Sequence, residues 1–218
     1  MPGPVFRRGE RVALHTLERE DLDLVARLRN DPELRRGPCP ATPESDVTIE
    51  RWFEDRVAET DASDEGAQFV VVPRGDPDVA AGYASLFDVQ RPAGHGEIAV
   101  TIAPEHQDHG HVTDAVRELV AYGIEELRLN KIRGRALATD GRWRAALEDV
   151  GFRLGETRRE ARRVDGEHVD VVSYSLLADD WFDREDTVRG LPGRPPGATA
   201  AERGLDDPDS GAVDGGER

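Results

Sequence analysis

Cysteine is almost absent from this chain of 218 residues: Cys39 stands alone between two prolines. Disulfides within the chain and cysteine-rich zinc sites are thereby excluded. Lysine is as scarce, with Lys131 the one lysine among 29 basic residues. Aromatic residues make up 6% and hydrophobic residues 37% of the chain, a thin supply for a core. No apolar run approaches the roughly 20 residues that span a bilayer, and no charged-then-apolar leader suggests a signal peptide. These absences predict a soluble, cytoplasmic protein. What abounds is acid: 45 Asp and Glu give a formal net charge of −16. That charge repels nucleic acid and anionic membranes, so neither is expected as a partner. Acidity with almost no lysine points to a halophilic, salt-rich setting, where screening removes the self-repulsion; a GC-rich genome would produce a similar bias toward Arg, Ala, Gly and Asp.

The informative stretch runs from Gly96 to Phe152. Ile98, Val100 and Ile102 alternate with Glu97, Ala99 and Thr101, the period of a half-buried strand. Val112, Ala115, Val116, Leu119, Val120, Ile124 and Leu127 then recur at helical steps. Between them lies a polar turn around Gly110. A strand-to-helix turn leaves the first helical N–H groups unpaired under the positive end of the helix dipole, a natural seat for phosphate.

Elsewhere the chain predicts a strand at Val12–Leu17, a helix from near Arg19 to Asn30, and a loop from Arg36 to Asp46. A second helix carries Ile49, Trp52, Phe53 and Val57, with Asp46 or Thr48 as its cap. Strands follow at Phe69–Val72 and Val79–Asp88, and Val164-Asp-Gly-Glu167 joins two extended arms as a hairpin. Met1–Arg8 lacks periodicity and is expected as a loose lead-in. Residues 184–218, rich in Gly, Pro and acid and without aromatics, are expected as a disordered tail after a domain of residues 1–183. Pattern alone supports one α/β or α+β domain.

The segment Gln107-Asp-His-Gly-His-Val112 resembles the acetyl-coenzyme A turn of the GNAT superfamily of N-acetyltransferases, Gln/Arg-x-x-Gly-x-Gly/Ala, with valine in place of the last small residue. Leu129–Arg133, Ala138-Thr-Asp140 and Ala146–Phe152 continue the likeness. Gly9–Leu14, Leu17–Asp21 and the stretch from Val164 through Trp181 resemble the branch holding ribosomal-protein N-terminal and spermidine acetyltransferases. The resemblance covers about residues 9 to 182. It implies a GNAT-like mixed sheet, mostly antiparallel, with helices on both faces, in the order β-α-α-β-β-β-α-β-α-β-β.

It also implies a chemistry: direct transfer of acetyl from acetyl-CoA, as co-substrate, to a primary amine on a protein N-terminus, a polyamine or a small molecule. Glu97 matches the family's general base, which an ammonium acceptor requires; the other reading of Glu97 is a solvent-facing strand residue. Coenzyme contacts are implied for Val100, Ile102, Gln107, Asp108, His109, Gly110, His111, Val112 and Thr113, with the amides of 108 to 113 on the pyrophosphate. Asp140 stands where the family bonds the pantetheine arm, although it also suits the N-cap of the next helix. Trp143 replaces a serine thought to protonate the departing thiolate. These departures carry an alternative, a degenerate module that binds CoA or a partner protein without catalysis. His95, His106, His109 and His111 form no recognised ligand frame, and no metal is expected. The sequence does not decide the oligomeric state.

Overall fold

Eight strands form one sheet in the order β1-β2-β3-β4-β5-β6-β8-β7. The computed structural model describes residues 2–36, 42–58 and 66–188, so Cys39 and the expected tail beyond residue 188 lie outside the described residues. The strands are β1 (Val5–Arg8), β2 (Val12–Thr16), β3 (Ala67–Pro73), β4 (Gly82–Gln90), β5 (His95–Ile102), β6 (Lys131–Leu137), β7 (Arg153–Val164) and β8 (Glu167–Leu177). The α-helices are α1 (Leu22–Asn30), α2 (Asp46–Phe53), α3 (His111–Ala121), α4 (Gly141–Val150) and α5 (Ala178–Val188). All neighbouring pairs are antiparallel except β5 with β6. The expected mixed sheet is therefore present, with a strand added before it and a helix after it.

The added strand falls on the expected lead-in. Four residues are too few to show a period, and what holds β1 is long-range. Phe6 stacks on Phe69 with centroids 5.1 Å apart and meets Tyr122 edge-on at 5.1 Å. The first helix begins as a 3-10 turn, Arg19–Asp21, before α1. Ser45, rather than Asp46 or Thr48, caps α2, its hydroxyl accepting from the Thr48 N–H at 3.3 Å. The predicted hairpin at Asp165-Gly166 is present, with both residues at positive φ (49° and 91°), as a two-residue primed turn demands.

The sheet divides two cores. Leu17, Val25, Leu28, Ile49, Phe53, Val70, Val72 and Tyr83 pack under α1 and α2. The opposite face meets α3 and α4. A Cβ on Gly134 would touch Leu147 of α4 at 3.1 Å, and one on Gly123, in the π-helical turn that continues α3, would meet Ile132 at 2.7 Å. Even-numbered β6 residues thus face α3 and α4, and odd-numbered ones face the α1–α2 side. Through the ladders, Glu97, Arg133, Arg135 and Leu137 share the α1–α2 face with Tyr83.

Candidate active site

The sheet is split at its centre. β5 and β6 pair at three positions only, His95 with Lys131, Gly96 with Ile132 and Glu97 with Arg133. Beyond them β5 stays on β4 as far as Ile102, and β6 stays on β8 as far as Leu137. The two strands therefore part like the arms of a V, and a cleft of about 1030 Å3 opens between them. Strand edges without a strand partner can accept an extended ligand through their backbone groups.

At the mouth of this cleft β5 runs into a 3-10 turn, Pro104–His109, and then α3. Gly110 joins them at φ 71°, ψ 12°, a left-handed conformation that favours glycine. Among the described residues no side chain caps α3, and its first N–H groups face the mouth as a seat for an anion. Arg11 lies across the glycine: a Cβ there would meet its Cδ at 3.2 Å and its Nε at 3.3 Å. A bare backbone with a guanidinium beside it fits a phosphate. His111 is buried, with Nδ1 3.0 Å from the His106 carbonyl oxygen.

The turn is tied down from behind by a residue that sequence reasoning missed. Asp114, 5% exposed, accepts from the N–H groups of Arg11 at 2.8 Å, Val12 at 2.9 Å and Glu10 at 3.3 Å. Its carboxylate thus fastens the β1–β2 turn to the first turn of α3. Nothing local betrays it, since its partners lie 102 to 104 residues away.

Glu97 sits where the V closes. It is 7% exposed, which excludes the solvent-facing alternative. Its Oε1 accepts from Arg135 Nε at 2.6 Å across the cleft. Sequence reasoning misses Arg135 as well, because its partner lies 38 positions away in the chain. On the other side of the sheet Asp140 is the N-cap of α4, accepting from the Trp143 N–H at 3.0 Å. Trp143 is buried, and its indole N–H donates to the Arg135 carbonyl at 2.9 Å. Gln107 bridges the end of β5 to α4: its amide donates to the Ile102 carbonyl at 2.9 Å and accepts from Arg142. Arg144 and Glu148 of α4 both bond the Tyr174 hydroxyl. Burial and the Glu148 carboxylate push that hydroxyl above the usual tyrosine range, so it remains protonated and holds α4 in place.

Of the expected residues, Glu97, Val100, Ile102, Gln107, Val112, Asp140 and Trp143 line the one cleft. Gly110 ends the turn at its mouth, and His111 and Thr113 lie in the first turn of α3 rather than on its wall. Asp108 and His109 contribute backbone to the 3-10 turn, and their side chains lie outside what is described. Among the described residues, no group of three or more His, Cys, Asp and Glu is arranged to hold a metal ion. No helix there is long and apolar enough to cross a membrane.

Comparison with known proteins agrees with this geometry. Residues 11–153 match the acetyltransferase (GNAT) domain family. Over 100 residues, 46% of this chain and 55% of the relative's length, the chain is 36% identical to the "Putative ribosomal N-acetyltransferase YdaF" of Bacillus subtilis. It is 24% identical over 168 residues, 77% of this chain and 93% of the relative, to the uncharacterized N-acetyltransferase p20 of Bacillus licheniformis. The spermidine N-acetyltransferase of Vibrio cholerae, solved with CoA and spermine, superposes with a TM-score of 0.71 at 22% identity, covering 78% of this chain and 98% of that one. At that identity the likeness is one of fold.

Proposed function

The chain belongs to the GNAT family of acetyl-CoA-dependent N-acetyltransferases, and we propose that it acetylates a primary amine by direct attack on the thioester. The observation that carries this reading is the split sheet: a buried carboxylate, Glu97, stands at the base of the cleft, and an uncapped helix N-terminus stands at its mouth. Bound acetyl-CoA would supply the activated acetyl group. The amine nitrogen forms a bond to the carbonyl carbon, the carbon–sulfur bond breaks, and the sulfur leaves as thiolate.

In this scheme the amides following Asp108 hold the pyrophosphate, with Arg11 supplying positive charge and Thr113 a hydroxyl. Val100 and Ile102 offer backbone groups to the pantetheine arm. Glu97 takes the proton that the acceptor ammonium must lose, directly or through water. Gln107 and Asp140 hold the walls, Gln107 by bridging β5 to α4 and Asp140 by capping that helix. No acid is needed for the leaving group, because a thiol with a pKa of about 8–9 departs readily as the thiolate. The acceptor class spans protein N-termini, polyamines and small amines, and the setting is a salt-rich cytoplasm.

A non-catalytic binding module is the second reading: the indole N–H of Trp143 is spent on the Arg135 carbonyl and its backbone N–H on Asp140, so that position would supply no proton to a leaving group that did require one. Titration calorimetry with acetyl-CoA, followed by thiol release over a panel of amines, separates the two. Binding with thiol release is expected. Binding without release for every amine, at low and high salt, would favour the module, and no binding would overturn both.

A further inference from the structure

Resting on the coenzyme reading above, we infer that Arg158 and Arg162 select the acceptor, and that the acceptor carries its amine beside carboxylate groups. The coenzyme turn leads into α3, which packs on the face opposite α1 and α2, so in this reading the acceptor reaches the thioester from the α1–α2 face. Arg158 pairs with Val171, which pairs with Leu137 of β6, and Arg162 pairs with Val169. Both arginines therefore share the α1–α2 face with Glu97 and Arg135, and both line the cleft.

Their face depends on an irregularity upstream: three steps along β7, from Leu154 to Thr157, match only two along β8, from Tyr174 to Val172, so the alternation changes phase there. Four steps along β7, from Arg158 to Arg162, match only two along β8, from Val171 to Val169. Glu160, between them, takes φ 51°, and its N–H is held by Asp170 Oδ1 at 2.8 Å. The odd insertion before Thr157 re-aims the strand and brings Arg158 to this face, and the even one after it leaves Arg162 there too. Both residues line the cleft, where neither guanidinium makes a hydrogen bond or ion pair among the described residues. Of the other charges lining this side, Arg135 and Glu97 are already paired, which among the described residues leaves Glu33 as the lone opposing carboxylate. In a chain of net charge −16 this wall is locally positive. Guanidinium groups recognise carboxylates and repel a polycation such as spermine. The carboxylate can come from an acidic peptide with a free N-terminus or from the α-carboxylate of a free amino acid.

The test uses the full chain with acetyl-CoA in dilute salt, and measures thiol release. The acceptors are an acidic peptide, a lysine-bearing peptide of equal length, free glutamate and spermine. The wild type should favour a carboxylate-bearing acceptor over spermine and the basic peptide by about tenfold or more in kcat/KM. Peptide against glutamate distinguishes the two sources. R158E/R162E should reverse the preference without changing acetyl-CoA affinity, and R158Q/R162Q should erase it if the charge reversal unfolds the chain. Preference for spermine, or a preference unchanged in the variants, overturns the inference. If acetyl-CoA binds but no thiol is released, binding of the same labelled acceptors decides by the same criteria. Failure to bind acetyl-CoA overturns the coenzyme reading itself.

Discussion

Glu97 combines two demands that usually conflict, burial and accessibility to a reacting proton. It meets them by closing the base of an open cleft with Arg135 as its partner. Glu97→Gln keeps a carbonyl oxygen for the Arg135 Nε, so the fold should persist while proton removal is lost. The expected result is a fall in kcat of about 10²-fold or more, with the acetyl-CoA dissociation constant unchanged; an unaltered kcat would remove Glu97 from the mechanism. Trp143 answers to a different balance. A serine in its place would offer an acid for the thiolate, but the indole is 8% exposed and packed into the layer beneath the sheet. Emptying such a site costs about 3–5 kcal/mol for a large aromatic, and the Arg135 carbonyl loses its donor as well. Trp143→Ser should therefore lower the denaturation midpoint sharply, and any gain in rate must be read below that midpoint. A midpoint shift of under a degree would show that the tryptophan is dispensable to the fold.

Helix α3 carries its apolar residues at regular steps, but its position depends on Asp114. That carboxylate accepts three N–H groups from the β1–β2 turn while the same turn lays Arg11 over Gly110. Asp114→Asn would set an amide N–H against backbone N–H groups. The loss of charged hydrogen bonds in a buried place is worth about 1.5–3 kcal/mol each. Both the unfolding free energy and the affinity for acetyl-CoA should fall, the second because Arg11 and the turn move together. Lost stability with undiminished affinity would separate the clasp from the coenzyme site. This contrast also marks how far the elements were legible in the sequence. β5, α3 and the Asp165-Gly166 hairpin announce themselves by period and turn chemistry within a few neighbouring residues, while β6 and α4 are legible through the family likeness of Leu129–Arg133, Ala138-Thr-Asp140 and Ala146–Phe152. The parting of β5 from β6, the Glu97–Arg135 pair, the Asp114 clasp and the β7 bulge arise between residues far apart in the chain. Strand β1 escaped for the same reason, because Phe69 and Tyr122 are what make Phe6 a strand residue. The residue types of the site were visible in line; its geometry belongs to the sheet.

At the scale of the whole molecule the governing quantity is the net charge of −16 at neutral pH. Most of the described ion pairs are exposed at one or both ends, as in Arg19–Glu54, Arg27–Glu105 and Arg153–Asp180. Such pairs are worth about 0–1 kcal/mol each and weaken in salt. The uncompensated acid acts in the other direction. In dilute buffer like charges repel across the surface, and folding gathers them together. The Debye length falls from about 10 Å at 0.1 M to about 3 Å at 1 M, which removes that repulsion at ordinary charge spacings. With acid outnumbering base by 45 to 29, the relief should exceed the loss from a few exposed pairs. The thermal midpoint is therefore expected to rise steadily from dilute buffer to molar KCl. A specific control follows from the cause. Near pH 4.8, the isoelectric point of the chain, the net charge vanishes and the salt-dependent gain should shrink with it. An equal gain at both pH values would point to general exclusion of salt from the surface. A flat or falling midpoint at neutral pH would mean that the acidity reflects genome composition rather than adaptation to salt.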